Sequence, residues 1–279
     1  MTTALTQPAT TARTAGQRKL RVTQLRVFRS EWTKFRSVRS TVWTLLIAVV
    51  LTIGIGALFS AITASQYHTF SPADKASFSA VGTTLNGVTF AQLAIGVLGV
   101  LLISGEYSTG MIRSSLTAVP RRLPVLWAKL AVFAGVVFAV MLVASLVSFF
   151  LGQALLSGHH LNVTLSAPGA LRSVIGAALY ATVAGMIGLA LGALLRNTAA
   201  GISTFVAAFF VFPPLTDLLP ASWTAHFVQY LPSNAGEVLY GGTHGLTHPL
   251  APWTGFAVLC CYAVVLIGFA AWRLRRADA

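Results

Sequence analysis

Few places in this sequence have the residue types and spacing for chemistry. Gly105-Glu106-Tyr107-Ser108-Thr109-Gly110 has the GxxxxG spacing of a phosphate loop. Met111-Ile112 follow, where such a loop needs Lys and Ser or Thr to reach phosphate and magnesium, and no strand precedes it. The segment is therefore not a nucleotide site. His244 and His248 lie four residues apart and His159-His160 are adjacent, all in polar stretches between apolar runs. They read as loop histidines, and no metal is assigned to them. Cys260 and Cys261 adjoin inside an apolar run, a placement that suits neither a disulfide nor zinc. They read as small buried residues. HExxH, CxxC and GxSxG do not occur. The expectation is no catalytic residue, no cofactor in this chain, and no enzyme.

Within the apolar runs full charges are sparse. Carriers driven by protons or ions keep Asp or Glu at mid-membrane depth. Here Asp217 follows the double proline Pro213-Pro214, and Glu237 falls between runs. What the runs do contain is uncharged. Asn86, Thr89 and Gln92 share one helical face with Gly96 and Gly99, a polar stripe that either packs between helices or faces a central path rather than lipid. Ala184, Gly188 and Gly192 form a ridge of small residues that lets helix backbones approach.

The elements that position these residues follow from composition. Hydrophobic residues make up 56% of the chain and charged residues 9%, and mean hydropathy is +0.77. A soluble domain carries about 25% charged residues, so this chain needs lipid as part of its solvent. Six apolar runs are long enough to cross a bilayer: about Val42–Ala64, Leu85–Ser104, Val125–Leu156, Ser173–Leu195, Ala199 to the double proline, and Trp253–Trp272. Trp43, Trp253 and Trp272 mark span ends, as an aromatic belt does. The expected fold is all-α and polytopic. Residues 1–17 are a disordered cytoplasmic tail, 18–41 an interfacial amphipathic helix, 42–272 the six-helix domain and 273–279 a short tail. In the interfacial helix Leu25, Phe28, Trp32 and Phe35 recur at three- and four-residue spacing, with Arg26, Arg29, Lys34 and Arg36 mostly off that face.

The net charge of +13 could suggest nucleic acid, but the basic residues sit at the ends of apolar runs. Three of the segments joining the runs, 65–84, 157–172 and 215–252, hold only Lys75 and Arg172 of the 19 Lys and Arg. Positive charge stays inside, so both termini are expected in the cytoplasm. The longest inner loop is Gly105–Pro124. Within it Thr109 to Ala118 can form a short helix presenting Met111, Ile112 and Leu116, ended by Pro120. Glu106 is placed where Arg113 or Arg36 could pair with it.

Three blocks now carry a family resemblance. They are Arg29-Ser30-Glu31-Trp32-Thr33-Lys34-Phe35-Arg36-Ser37-Val38-Arg39-Ser40, Gly105-Glu106-Tyr107-Ser108-Thr109-Gly110-Met111-Ile112-Arg113, and Tyr230-Leu231-Pro232-Ser233-Asn234-Ala235-Gly236. In this order, on six spans, they resemble the permease subunit of a type-2 ABC exporter from a GC-rich bacterium. The resemblance implies a second permease copy or paralogue and a separate ABC ATPase subunit that binds ATP and Mg. It implies a bacterial cytoplasmic membrane, with lipid and not nucleic acid as the surroundings. Coupling to the ATPase falls to the loop 105–124, with Glu106, Tyr107, Met111, Ile112, Arg113 and Leu116 as its residues. The segment 215–252 is expected to dip part-way into the membrane as a helical hairpin. The alternative is a membrane anchor or scaffold subunit that transports nothing. A secondary carrier or an intramembrane enzyme is the third reading.

Overall fold

In lipid every backbone N–H and C=O must find a partner within its own segment, so apolar runs of this length become helices. The computed structural model describes residues 24–108, 123–220, 227–242 and 248–276, and among these there is no strand. Six helical segments are long and apolar enough to cross a membrane: Arg39–Thr69, Ala80–Tyr107, Leu123–Ser157, Ala170–Leu195, Thr198–Leu215 and Pro252–Arg276. Each matches an expected run, with ends extended by a few residues. Residues 1–17 and 277–279, and Met111, Ile112, Arg113 and Leu116 of the loop 105–124, lie outside the described residues.

The helix α1, Gln24–Ser37, precedes the first span. It stops at Val38, whose extended backbone separates it from α2, Arg39–Gln66. Arg39, Ser40 and Thr41 therefore belong to the first span and not to the interfacial helix as the sequence suggested. Outside the membrane runs, α3 covers Pro72–Ser77 and is closed by a Ser71–Asp74 capping box. The second span is built from two pieces, α4 (Ala80–Leu85) and α5 (Gly87–Ser108), joined at Asn86. The third and fourth spans are α6 (Leu123–Ser157) and α7 (Ala170–Leu195). The fifth is α8 (Thr198–Val206), a π-helical turn Ala207–Val211 and α9 (Phe212–Leu215), in whose first turn Pro213-Pro214 supply no backbone N–H. The short helix α10, Pro232–Glu237, precedes the last span α11, Pro252–Arg276.

Small residues decide which helix sits at the centre. α7 is buried along most of its length, with Gly176, Ala177, Ala178, Ala181, Ala184, Gly185 and Gly188 all covered. Its longest packing is against α5. There the backbones touch: a Cβ at Gly99 would collide with the Gly185 carbonyl, and one at Gly188 with the Gly96 carbonyl. Lipid tails supply no hydrophobic drive between helices, so close van der Waals approach of this kind does the holding. α2 is built the other way out. Its buried stripe is Ala48, Thr52, Gly56, Ser60 and Ala64, while Trp43, Ile47, Val50, Leu58 and Ile62 are exposed.

The joint at Asn86 interrupts the second span, and its freed backbone group is satisfied from α6. The Ser148 hydroxyl donates to the Thr84 carbonyl at 2.6 Å and lies 3.0 Å from the Thr52 carbonyl, tying α2, α4 and α6 at one point.

Candidate functional site

α1 carries the residues that organise the end of the bundle where α5 stops and α6 begins. Its buried face is Val27, Glu31 and Phe35, four residues apart, and it packs on α6. The aromatic stripe read from the sequence divides as a result. Phe28 and Trp32 are 40% and 46% exposed, but Phe35 is 5% exposed and stacks edge-on to Phe133 in the core. The Leu25 side chain lies outside the described residues.

Glu31 places a carboxylate in an otherwise apolar seam, and three other charges meet it. Lys129 of α6 donates to Glu31 Oε2 at 2.7 Å and to Glu106 Oε1 at 3.0 Å. Lys34 of α1 donates to Glu31 Oε1 at 2.9 Å and lies 3.4 Å from Glu106 Oε1. Lys129, Glu31 and Glu106 are buried, and Lys34 is about a third exposed. Burial works against the charged Glu31, but Lys129 and then Lys34 outweigh it, and the carboxyl is held below its usual range. Burial likewise opposes the Lys34 ammonium, and Glu31 and Glu106 overcome it, raising its pKa. Glu106 Oε2 is buried with no hydrogen-bond partner among the described residues. Among the described residues the partners of Glu106 are thus two lysines; Arg36 is exposed, and Arg113 lies outside the described residues.

Beside the cluster lies a cavity of about 670 Å³ between α1, the start of α2, α5 and α6. Phe35, Leu98, Leu101, Leu102 and Val132 form its apolar wall, and Glu31, Lys34, Glu106 and Lys129 its charged end.

The end of α5 is also tied to the joint between the fourth and fifth spans. Arg196 closes α7 in the left-handed conformation, its N–H donating to the Gly192 carbonyl. Its guanidinium lies over the Tyr107 ring at 5.1 Å. Thr198 Oγ1 donates to Ser104 Oγ at 2.9 Å, and Arg273 of α11 donates to the Leu194 carbonyl. The end of α5 is therefore linked to the end of α7 and the start of α8, and α7 in turn to the end of α11.

A second polar group sits at the other end of α5. Asn86 caps α4 at the joint. Thr89 Oγ1 and the Tyr240 hydroxyl share a hydrogen bond of 3.0 Å. Gln92 is fully buried; its Oε1 accepts from the Tyr180 hydroxyl, and its Nε2 has no partner among the described residues. Tyr180 also lies 3.4 Å from Glu237 Oε1, and its ring packs on Tyr240 at 5.3 Å. Glu237 lies between the fifth and sixth spans. Burial pushes its carboxyl up to about 7, against hydrogen bonds from Tyr180, Thr89 and Tyr240 that act to lower it. Thr89 and Gln92 thus contact the segment before the last span and the centre of the bundle.

Sequence reasoning missed Glu31, Lys129, Tyr180, Glu237 and Tyr240 as site residues. The available signals were a lysine inside the apolar run Leu123–Ser157 and a glutamate isolated among basic residues. No curated protein matches the chain. The sequence model of the ABC-2 family transporter protein matches residues 27–214, from the buried face of α1 through all of α5, α6 and α7 to the double proline. The match covers well over half of the chain and both polar ends of α5, and so the chain belongs to the ABC-2 transporter family and is a multi-pass permease subunit of an ABC transporter.

Proposed function

We propose that the chain is the membrane-spanning part of an ATP-driven exporter, paired with a second permease and worked by separate ATPase subunits that hold ATP and Mg. The observation that carries this reading is the buried ionic cluster. It joins α1, the end of α5 and the start of α6 immediately beside the inner loop, so a force applied there reaches three helices at once. A charge network that excludes water is costly unless fully partnered, and it fixes its helices in one register. Glu106 and Tyr107 are the inner anchor of the coupling stretch. Met111, Ile112 and Leu116 provide its apolar key to the ATPase, and Arg113 its charge. Asn86, Thr89 and Gln92 line the outer part of the path, gated by the re-entrant segment around Pro232–Tyr240. The packing of Tyr240 and Glu237 against α5 and α7 supports that gate.

Replacing Met111, Ile112 and Leu116 together with Ala leaves the ionic cluster intact. This variant is expected to insert and melt like the parent, yet to lose its ATPase partner or the stimulation of hydrolysis by cargo. Normal partner binding and normal export would remove the loop from the mechanism. Partner binding without any ATP-dependent export in the parent would favour the scaffold reading.

The charge asymmetry further supports a bacterial cytoplasmic membrane with both ends inside. Reporter fusions at Gly16, Asp74, Gly110, Gly158, Gly242 and Asp278 are expected to read in, out, in, out, out, in. A periplasmic signal at Gly110 or Asp278 overturns that orientation.

A further inference from the structure

Glu237 packs the segment before the last span onto the bundle, but it is also an acid in a seat of hydroxyls, a chemistry that packing alone does not use. It ends α10, and its carboxyl meets hydroxyls from three parts of the chain: Tyr180 of α7, Thr89 of α5 and Tyr240 of its own segment. The turn that follows folds back over it. A Cβ at Gly242 would lie 3.2 Å from Glu237 Oε2, and one at Gly82 of α4 would lie 3.2 Å from the Gly241 carbonyl oxygen. Glu237 still keeps some exposed surface, so water can deliver or remove a proton.

The hydrogen bonds under this turn call for a proton on Glu237. Tyr180 has a single hydroxyl proton, and it goes to Gln92 Oε1. Glu237 Oε1 lies 3.4 Å from the same hydroxyl oxygen. That oxygen can then only accept, so a bond from α10 needs a protonated Glu237 as its donor. The chain runs from Glu237 to Tyr180 to Gln92, which is fully enclosed. An ionised Glu237 must either break the chain or have Gln92 turn its amide over in that enclosed space. Burial acts in the same direction and lifts the carboxyl to about 7. The titratable groups that face it are Tyr180 and Tyr240, while α5 presents the uncharged Thr89 and Gln92. α11 meets α10 through Gly255 and Leu259, the π-helical turn Ala207–Val211 carries no charge, and Val228–Tyr230 adds only Tyr230. His248 is exposed, and His226 and His244 lie outside the described residues.

We propose that Glu237 is a proton-operated latch: its protonated carboxyl donates to Tyr180 and holds α10 and the Gly241–Gly242 turn against α4, α5 and α7, and loss of the proton releases them. The latch deepens the reading of the segment around Pro232–Tyr240 as a gate and rests on that reading for its use in export. It is measured without cargo, nucleotide or partner, so its failure and a failure of export are seen separately. The seated carboxyl titrates above its ordinary 4.5, so its stabilisation is complete below about pH 4.5 and is lost as pH rises through about 7.

The test uses the full chain in maltoside micelles, in a Cys260→Ala, Cys261→Ala background. Infrared difference spectra between about pH 5 and about pH 8 read the protonated carboxyl directly. Ser233→Cys, at a buried position of α10, reports release through its reaction with a water-soluble thiol reagent. Gly158→Cys, exposed and with nothing within 4 Å of its Cβ, corrects for the ionisation of the thiol itself. The ratio of the two rates is expected to rise at least about tenfold from about pH 5 to about pH 8, inside the roughly hundredfold that a carboxyl moved from 4.5 to about 7 can supply. Glu237→Gln keeps a donor for Tyr180 at every pH, and should remove the carboxyl band and leave the ratio low and flat. A slope that survives Glu237→Gln assigns the titration to a histidine and overturns the latch. A carboxyl band that titrates near 4.5 overturns it too. So does a band that titrates near 7 while the ratio stays flat, since the chain then reverses inside a closed segment. Hydrogen exchange over residues 230–242 of the parent, corrected for the intrinsic rate, gives the same reading of release if Ser233→Cys fails to fold.

Discussion

Lys129→Met is expected to destabilise the protein by about 3–5 kcal/mol, the usual cost of removing one partner from a buried ion pair. The methionine fits the volume, but Glu31 and Glu106 lose the ammonium that lies 2.7 Å and 3.0 Å from them. Lys34 remains beside both carboxylates, yet it is about a third exposed and does not replace a fully buried charge. Two carboxylates around one half-solvated amine must then share it or take up a proton. The loss should appear as a lower melting temperature in detergent and poorer yield from the membrane. Adding Glu31→Gln to Lys129→Met should recover a large part of it, because the uncompensated charge is removed. A Lys129→Met protein that melts with the parent would show that the cluster contributes nothing to the fold. A double variant no better than the single would show that the cost lies in packing and not in charge.

The second large effect is expected at Gly188. Its added Cβ would strike the backbone of Gly96, and backbone cannot swing aside as a side chain can. Gly188→Ala should cost about 1–3 kcal/mol through overpacking, and Gly188→Val more. Gly135 in α6 is the matched control, since a Cβ there meets nothing within 4 Å. Gly135→Ala should be neutral or stabilising by up to about 1 kcal/mol, the difference in helix propensity. Equal melting temperatures for Gly188→Ala and Gly135→Ala would mean that α5 and α7 are not held by close backbone contact.

The six spans were legible because their signal is length and hydropathy, which the bilayer imposes one segment at a time. The joint at Asn86 was not, because Ala80–Leu85 is too short and too polar to show a helical period of its own. It exists because α6 supplies Ser148 to its open carbonyl. Periodicity grouped Phe28, Trp32 and Phe35 on one face of α1. It could not say that Phe35 turns inward while Trp32, three residues earlier, stays outside, since that depends on where α6 lies. In the sequence Lys129 lies near the start of the third span, where it is indistinguishable from the charges that set topology. Only the fold brings it to Glu31, 98 residues away. The contact between Tyr180 and Glu237 is equally invisible to pattern, because it depends on how the segment before the last span is folded back.

The close seam between α5 and α7 has a mechanical meaning. α5 runs for 22 residues, or about 33 Å, with Thr89 near one end and Glu106 near the other. A lone helix of that length bends under load. Two helices in backbone contact along Gly96, Gly99, Gly185 and Gly188 leave no slack between them, and close-packed interiors are poorly compressible and pass strain on. The pair therefore works as a single stiff strut. A tilt imposed where Glu106 is anchored is then expected to reach Thr89 and Tyr240 as displacement, with little of it absorbed as curvature between Gly96 and Gly99.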